Sequence, residues 1–263
     1  MLKIQSLASG SRGNAIYVAS DTTKILVDVG LTLPQLLRRM EHAQIDPATI
    51  DAILITHEHG DHTAGLAAFL KRFNCIVHIH EDTAEVFGSL PPHKIRFFGG
   101  HTHTCFEIGD ITVDHFPVSH DSRFCFGYTF TKDTAKISIA TDLGRITECI
   151  IDKMANSQIV MLESNHDILK LTHNTKYPAI LKRRITSSNG HLSNAASSLA
   201  IYELAKRNVQ QFILAHLSEQ NNSPHLAYSF VCDFLAKKGL VEGVDISIDV
   251  AEQDKPSMIF EIK

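Results

Sequence analysis

Residues 57–62 (His-Glu-His-Gly-Asp-His) constrain this chain more than any other segment, and they follow the apolar run 52–55. These six residues contain three imidazoles and two carboxylates, the groups that bind zinc and related divalent metals. The alternative interpretation is a solvated loop, because the chain contains 16 histidines and several lie in pairs elsewhere. One loop supplies only part of a coordination shell, so further ligands are expected elsewhere in the sequence.

Three further apolar runs of the sequence each end next to a side chain that can bind a metal. The three side chains are His120, Asp142 and His216. Catalytic groups of α/β folds converge at the ends of strands. Each residue alone is more readily explained as structural, but together with residues 57–62 they indicate one metal site.

This combination of residues resembles the metallo-β-lactamase-fold hydrolases, and the resemblance covers most of the chain. It implies an α/β fold, the αββα sandwich of that type, and two divalent metal ions. Zinc is the expected metal, with manganese or iron as alternatives that the same donors accept. The resemblance assigns His57, His59 and His120 to one metal, Asp61, His62 and His216 to a second metal, and Asp142 to a bridging position.

A two-metal site would supply the nucleophile of such a hydrolase. It lowers the pKa of a bridging water and stabilises the oxygens of an in-line displacement, so no serine or cysteine nucleophile is needed. Asp28 follows the apolar run 24–27 and is expected to accept a ring N–H from a ligand histidine. The alternative for Asp28 is a turn residue before Gly30.

Differences from other branches of the fold narrow the chemistry. Lactamases of this fold have a cysteine in place of Asp142, and oxygen-reducing di-iron members have a glutamate in place of His59. Glyoxalase-type thioesterases end with a helical glutathione-binding domain. This chain instead ends with one predicted helix and two strand-like runs, 245–250 and 257–262.

Two further motifs indicate phosphodiester hydrolysis. Residues 187–194 (Ser-Ser-Asn-Gly-His-Leu-Ser-Asn) are similar to a motif of the tRNase Z class, whose histidine protonates or stabilises the leaving oxygen. His191 is therefore the candidate general acid, with a helix-capping or surface residue as the alternative. Residues 162–167 (Leu-Glu-Ser-Asn-His-Asp) and the opening segment 6–14 resemble the YycJ/WalJ branch, and this resemblance covers the chain nearly end to end. That branch implies a 5′-to-3′ exonuclease acting on double-stranded DNA.

The candidate catalytic residues are Asp61, His191 and Glu163. Glu163 is expected to order His191 or a substrate water, and His166 is expected to contact the nucleic acid. Hydrogen bonding at a strand end explains Glu163 and His166 equally well. Backbone N–H groups of the loop 9–13 either cradle a phosphate or belong to a hairpin turn.

Length and composition predict a single domain over residues 1–263, because α/β chains of this size often form one unit. The net charge of −4 is unusual for a protein that binds nucleic acid, and residues 182–184 (Lys-Arg-Arg) form the best basic patch. The alternative for that patch is a solvated helix face. Apolar spacing predicts helices over 33–43, 62–73, 146–156, 177–185, 194–207 and 226–238.

Other features of the sequence exclude several classes. Five cysteines without close pairing argue against a disulfide framework. The sequence shows neither a signal peptide nor a long apolar run, which predicts a cytoplasmic protein without membrane contact. Strand and loop positions outside the ligand set are expected for His78, His80, His101 and His103.

The predicted function is a binuclear metal-dependent hydrolase that cleaves nucleic acid with a metal-bridging hydroxide, as a 5′-to-3′ exonuclease on double-stranded DNA. The alternative is a small-molecule phosphodiesterase or thioester hydrolase with the same metal site. The sequence does not decide DNA against RNA, exonuclease against endonuclease, or the oligomeric state.

Overall fold

A computed structural model describes residues 1–99 and 105–262. His101 and His103 lie outside the described residues. The strands, in chain order, are β1 (Leu2–Ala8), β2 (Ala15–Ala19), β3 (Lys24–Val27), β4 (Ala52–Leu54), β5 (Ile76–His80), β6 (Ile95–Phe98), β7 (Cys105–Ile108), β8 (Ile111–Pro117), β9 (Phe126–Lys132), β10 (Ala135–Ala140), β11 (Ile159–Glu163), β12 (Gln211–Ala215), β13 (Ser247–Val250) and β14 (Phe260–Ile262). The helices are α1 (Leu33–His42), α2 (Gly60–Thr63), α3 (Leu66–Arg72), α4 (Glu148–Met154), α5 (Ile168–His173), α6 (Ala179–Ile185), α7 (Asn194–Ala205) and α8 (Pro224–Ala236).

The described strands form two mixed sheets of seven strands each. The first has the order β14-β1-β2-β3-β4-β5-β6 and the second the order β13-β12-β11-β10-β9-β8-β7. Strands β3 to β6 of the first sheet run parallel, as do β10 to β13 of the second. Because parallel strands end at the same edge, each sheet gathers the loops that follow these strands on one side of the molecule.

Apolar side chains between the two sheets form the central core. Ile4 and Ile25 of the first sheet share one buried cluster with Tyr128 and Ile213 of the second. The outer face of the first sheet packs against α1 and α3, and that of the second against α4, α7 and α8. Each fully buried large apolar side chain contributes about 1.5–3 kcal/mol. The predicted αββα sandwich is confirmed, whereas the single-domain organisation stays a prediction.

The structure corrects the predicted helix over 62–73. The chain forms two helices there, α2 beginning at Gly60 and α3 beginning at Leu66. The break occurs at Gly65, whose N–H donates to the Val29 carbonyl. A Cβ atom on Gly65 would lie 2.2 Å from the Leu31 carbonyl oxygen, so the chain passes too close there for any other residue. Apolar spacing carries no information about such a tertiary contact.

Other helix ends differ from the predictions because side chains cap them. α4 begins at Glu148, since Thr147 Oγ1 accepts a hydrogen bond from the Ile150 N–H. α5 was not predicted, and it begins after Asp167, whose side chain accepts from the Lys170 N–H. The remaining predicted helices are present within a few residues of their expected bounds. Among the described residues, no helix is long and apolar enough to span a membrane.

The loop 9–13 forms the turn of a hairpin, because β1 and β2 pair antiparallel on either side of it. Four of its five N–H groups, those of Ser9, Gly10, Arg12 and Gly13, donate hydrogen bonds within the protein: Gly10 donates to Asn14 Oδ1 and Gly13 donates to the Gly10 carbonyl. The N–H groups of Ser9 and Arg12 donate to residues near the carboxyl end of the chain. The hairpin interpretation is therefore confirmed, and these four N–H groups are not free to bind a phosphate.

Candidate metal centre and active site

The candidate site residues follow strands of both sheets and lie at one edge of the sandwich. Three of these residues, Asp28, Asp142 and His216, have a left-handed backbone directly after a strand or one residue later. In the first sheet, Asp28 follows β3 and residues 57–62 follow β4. In the second sheet, His120 follows β8, Asp142 follows β10, Glu163 ends β11 and His216 follows β12.

The structure brings the seven predicted metal ligands close together, and six of them form two groups of three. In each group, ligand atoms of three residues all lie within 4.8 Å of one another. The groups are His57, His59, His120 and Asp61, His62, His216. These two groups match the division that the resemblance implied, and overlapping groups join Asp142 with His57 and His62 and with Glu163, His191 and His216.

Asp142 lies between the two groups. One of its oxygens, Oδ2, is 3.2 Å from His62 Nε2, and the other, Oδ1, is 3.4 Å from His216 Nε2. Oδ1 is also 3.8 Å from His120 Nε2, in the other group. Burial raises the pKa of Asp142, but the charges of His216 and His62 lower it well below its ordinary value. Asp142 is therefore an ionised, buried carboxylate within reach of both groups.

Three buried polar atoms of this centre have no hydrogen-bond partner among the described residues: His57 Nε2, Asp142 Oδ2 and His216 Nε2. A buried polar atom left unpaired costs about 1–3 kcal/mol. Coordination of a cation would satisfy all three. Imidazole and carboxylate donors at this spacing fit divalent metal binding of the zinc type.

Asp28 and Thr56 fix one ligand ring from behind. Asp28 Oδ2 accepts the Nδ1–H of His62 at 2.7 Å, and it also accepts the Thr56 hydroxyl at 2.9 Å. The expected hydrogen bond of Asp28 with one of the candidate ligand histidines is thus present, and it leaves Nε2 of His62 facing Asp142. Burial lowers the pKa of His62, but the negative charges of Asp28 and Asp142 have the larger effect and raise this pKa to about 10. This part of the site therefore favours positive charge.

Glu163 is fully buried and holds two histidines with one oxygen. Its Oε1 accepts the Nδ1–H of His191 and the Nδ1–H of His216, each at 2.8 Å. Its Oε2 accepts the N–H groups of Leu143 and Leu192 at 3.2 and 2.9 Å. Burial raises the pKa of Glu163, but the neighbouring His191 and His216 lower it to about 2. Glu163 is therefore ionised, and it orders the rings of His191 and His216.

A cavity of about 240 Å³ opens beside these residues. His191, whose side chain is 22% exposed, lines this cavity together with ligands of both groups. The opposite wall is formed by α6 and the residue two positions before it, through Tyr177, Leu181, Arg184 and Ile185. The cavity thus lies between the candidate metal centre and one surface helix.

Arg184 and Asp121 were not predicted as site residues by themselves. Arg184 forms an ion pair with Asp121 Oδ2, and Asp121 Oδ1 lies 3.3 Å from His120 Nε2. The only sequence signal for Asp121 was its position next to His120. For Arg184 it was the basic run 182–184, whose other two members do not line the cavity.

His166 is buried, with 2% of its surface exposed, so the expected contact with nucleic acid is wrong. Its carbonyl accepts the N–H of Asn194, which begins α7. Burial lowers the pKa of His166 to about 4, so the ring is neutral. His166 is part of the support beneath the site.

A buried network of asparagine side chains beneath the site escaped the sequence reasoning. Asn222 Nδ2 donates to the carbonyls of Ser164 and Asn165 and to Asn194 Oδ1, at 2.8 to 3.1 Å. Asn165 Nδ2 donates to the His216 carbonyl at 2.8 Å. These amides connect the loop after β11, the start of α7 and the loop after β12. These hydrogen bonds therefore hold together the segments that carry Glu163, His191 and His216.

Comparison with known proteins identifies related sequences and folds. Residues 23–217 match the family model described as the beta-lactamase superfamily domain. The chain is 33% identical over 263 residues to exodeoxyribonuclease YycJ of Bacillus anthracis, covering 98% of each chain. It is 32% identical over 267 residues to exodeoxyribonuclease WalJ of Streptococcus pneumoniae, covering 99% of this chain and 98% of that protein. The crystal structure of the metallo-β-lactamase-fold protein YhfI from Bacillus subtilis superimposes with a TM-score of 0.74 at 14% identity, covering 99% of this chain and 100% of that one.

Proposed function

The chain belongs to the beta-lactamase superfamily, and we propose that it is a metal-dependent nuclease, a 5′-to-3′ exonuclease acting on double-stranded DNA. The observation that carries the proposal is the convergence of seven His and Asp ligands beside a cavity that also contains His191. Relatives named exodeoxyribonucleases match this chain over nearly its whole length, which supports a phosphodiester substrate.

We propose two divalent ions, zinc by preference, as the metals of this enzyme. His57, His59 and His120 would hold one ion, and Asp61, His62 and His216 the other. Asp142 would contact both. Bound there, such ions would lower the pKa of water and neutralise charge on the attacked phosphate.

His191 is the proposed general acid. Its Nδ1–H is held by Glu163, so the ring has one orientation and its Nε2 remains for the substrate. Burial lowers the pKa of His191, but the charge of Glu163 and its hydrogen bond raise it above the ordinary value. A ring protonated in this way would donate its Nε2 proton to the leaving oxygen as the P–O bond breaks. Asp61, which also lines the cavity, would help to hold the second ion.

The shape of the cavity favours the end of a strand. The wall formed by Leu181, Arg184 and Ile185 limits the space in front of the candidate metal centre. A terminal nucleotide enters such a space more readily than a phosphate in the middle of a duplex, whose neighbours on both sides would meet α6. This supports an exonuclease over an endonuclease.

The test uses duplex DNA labelled on one strand at the 5′ end or at the 3′ end, digested by the purified protein with manganese or zinc. Immediate release of labelled mononucleotide from the 5′-labelled strand, with progressive shortening of the 3′-labelled strand, is expected. The Asp142→Asn variant serves as the inactive control. Release from the 3′ end first, or internal cuts, would contradict the proposed direction.

Failure to cut DNA or RNA, with turnover of bis-p-nitrophenyl phosphate or a thioester, would overturn the nuclease proposal. It would favour the small-molecule hydrolase with the same metal site. Equal rates on single-stranded and duplex DNA would contradict the proposed preference for double strands.

A further inference from the structure

Basic residues are concentrated in one part of this acidic chain. Residues 168–202 contain five Lys and Arg residues and no Asp or Glu. The rest of the chain contains 20 Lys and Arg against 29 Asp and Glu, since the totals are 25 and 29. A polyanion is therefore attracted to one segment and repelled by the rest of the surface.

This basic segment includes the wall of the active-site cavity. The five basic residues all lie between the start of α5 and the end of α6, and Arg184 lines the cavity itself. α6 presents Leu181, Arg184 and Ile185 inward, so residues 180 and 183 lie on a neighbouring, outer face of the helix. A chain of phosphates leaving the cavity along α6 passes these positions.

Four of the five positive charges of the segment form no ion pair with a carboxylate among the described residues. Arg184 pairs with Asp121, while Lys182 Nζ and Lys170 Nζ donate only to the carbonyls of Thr172 and Asn222. Lys176 and Arg183 are exposed and form no ion pair with any carboxylate in the described part of the chain.

The three basic residues in the last turn of α6 also suit the negative end of the helix dipole. That explanation does not extend to Lys170 and Lys176, which lie outside α6. The accumulation over the whole segment therefore requires a second reason.

We propose that residues 168–185 form the surface that binds the phosphate backbone of the DNA beyond the cleaved nucleotide, with Lys176 and Arg183 as its two exposed phosphate contacts. This inference rests on the proposed nuclease function and adds the place where the duplex lies. The contacts are to phosphates, so they select a polyanion without selecting its sequence.

The test measures binding of a fluorescent 5′-phosphorylated duplex whose terminal linkages are phosphorothioates, which resist cleavage, as a function of salt concentration. The metal-loaded wild type is compared with the double variant Lys176→Gln/Arg183→Gln. The matched control, Lys71→Gln/Lys237→Gln, removes the same charge from exposed positions on α3 and after α8. Each lost duplex contact lowers the slope of log affinity against log salt by about 0.9, so a decrease of about two is expected, with weaker binding at low salt.

Cleavage of the same duplex with ordinary linkages by the wild type tests the proposed function separately. A slope that falls in the first variant and not in the control supports the binding surface, whether or not the wild type cuts DNA. Equal slopes for the two double variants overturn it, even if the wild type is an active exonuclease.

Discussion

Asp142 combines several constraints in a single side chain. It has a left-handed backbone with φ of 56°, it is buried, and its Oδ2 has no hydrogen-bond partner among the described residues. Asp28 and His216 share this backbone conformation, with φ of 63° and 55°. Non-glycine residues adopt it at a cost of about 1–3 kcal/mol, and such strain accumulates at functional sites. The side chains that meet in the centre are thus aimed by a backbone that is unfavourable by itself.

Replacing Asp142 by asparagine removes the central charge and keeps the shape. We expect bound metal to fall and DNA hydrolysis to decrease by at least about a hundredfold, because one ligand oxygen and one negative charge are lost. Elemental analysis of the dialysed protein and the end-labelled DNA assay measure both effects. Asp133→Asn is the matched control, since Asp133 is an exposed turn residue with φ of 54°. Normal metal content and rate in Asp142→Asn would remove Asp142 from the site.

His191 is expected to affect turnover without affecting the metals. The change His191→Gln should lower kcat by a factor of about 10² to 10⁴, because the leaving oxygen loses its proton donor. Metal content should equal that of the wild type, since His57, His59 and the other proposed ligands are retained. His225→Gln, at an exposed histidine of α8, provides the control. An unchanged kcat on DNA would exclude the acid role of His191.

Sequence reasoning identified the candidate metal ligands that the structure brings together, because they occur in a dense motif and at strand ends. It did not find Asn165, Asn194 and Asn222, whose amides meet only after three distant segments have folded together. An isolated asparagine is most simply read as a turn or cap residue. Nothing in its neighbours along the chain reports a partner some 30 to 60 residues away.

At the level of elements, the site is assembled from loops that are joined beneath their catalytic side chains. Glu163 ends β11, His216 directly follows β12, and His191 lies in the loop before α7; the three side chains form one cluster. Asn222 bonds to the loops of the other two elements and is 3% exposed. Removing a buried hydrogen-bonding side chain leaves its partners unsatisfied, at a cost of about 1–3 kcal/mol for each group.

We therefore expect Asn222→Ala to lower the free energy of unfolding by about 2–4 kcal/mol, since several of its partners are buried. Urea denaturation measures the change. Gln220→Ala removes a nearby amide from an exposed position of the same turn and should change stability by less than about 0.5 kcal/mol. Similar stabilities for the two variants would mean that the amide network does not hold these loops.

Helix positions were predicted better than helix ends. The apolar spacing located most helices because their inner faces pack on the sheets, as Leu36 of α1 and Ile201 of α7 do. α5 was missed because Leu171 is its one buried residue. The break between α2 and α3 depends on the main chain at Val29 and Leu31, which approaches Gly65 only in the folded protein.

At the level of the whole molecule, the candidate metal centre joins the two sheets. The first sheet supplies Asp28 and residues 57–62, and the second supplies His120, Asp142 and His216. The sandwich was expected from the family resemblance that these ligands carry, and residues 182–184 were recognised as the best basic patch, but the position of that patch beside the cavity was not predicted. Averaging all charges to a net −4 hides a segment in which every charged residue is positive.

The pH dependence of global stability should include a contribution from His78. Burial, together with the charge of Arg96, lowers the pKa of His78 to about 4. The ordinary value in an unfolded chain is about 6.5. Above that pH the ring is neutral in both states. As the pH falls toward 4, the unfolded chain binds a proton that the folded protein excludes, so the free energy of unfolding decreases.

Between pH 7 and pH 4.5, the free energy of unfolding should therefore fall by about 1–2 kcal/mol less in His78→Gln than in the wild type, because that proton uptake is absent. Urea denaturation at a series of pH values measures it. The loss of ring stacking on Phe106 shifts both ends of the curve equally and does not change its slope. His225→Gln, at an exposed histidine of α8, is the control. Parallel curves for wild type and His78→Gln would contradict the assignment.

The structure places the helix that faces the cavity outside the cores of the sandwich. None of the described residues of α6 is buried, although three of them line the cavity. Substitutions there cost little folding free energy, whereas changes at the ligands disturb strained and buried groups. The molecule therefore separates the part that maintains its architecture from the part that meets the substrate. Substitutions in α6, in evolution or by design, can therefore alter which polyanion is bound without changing the candidate metal centre.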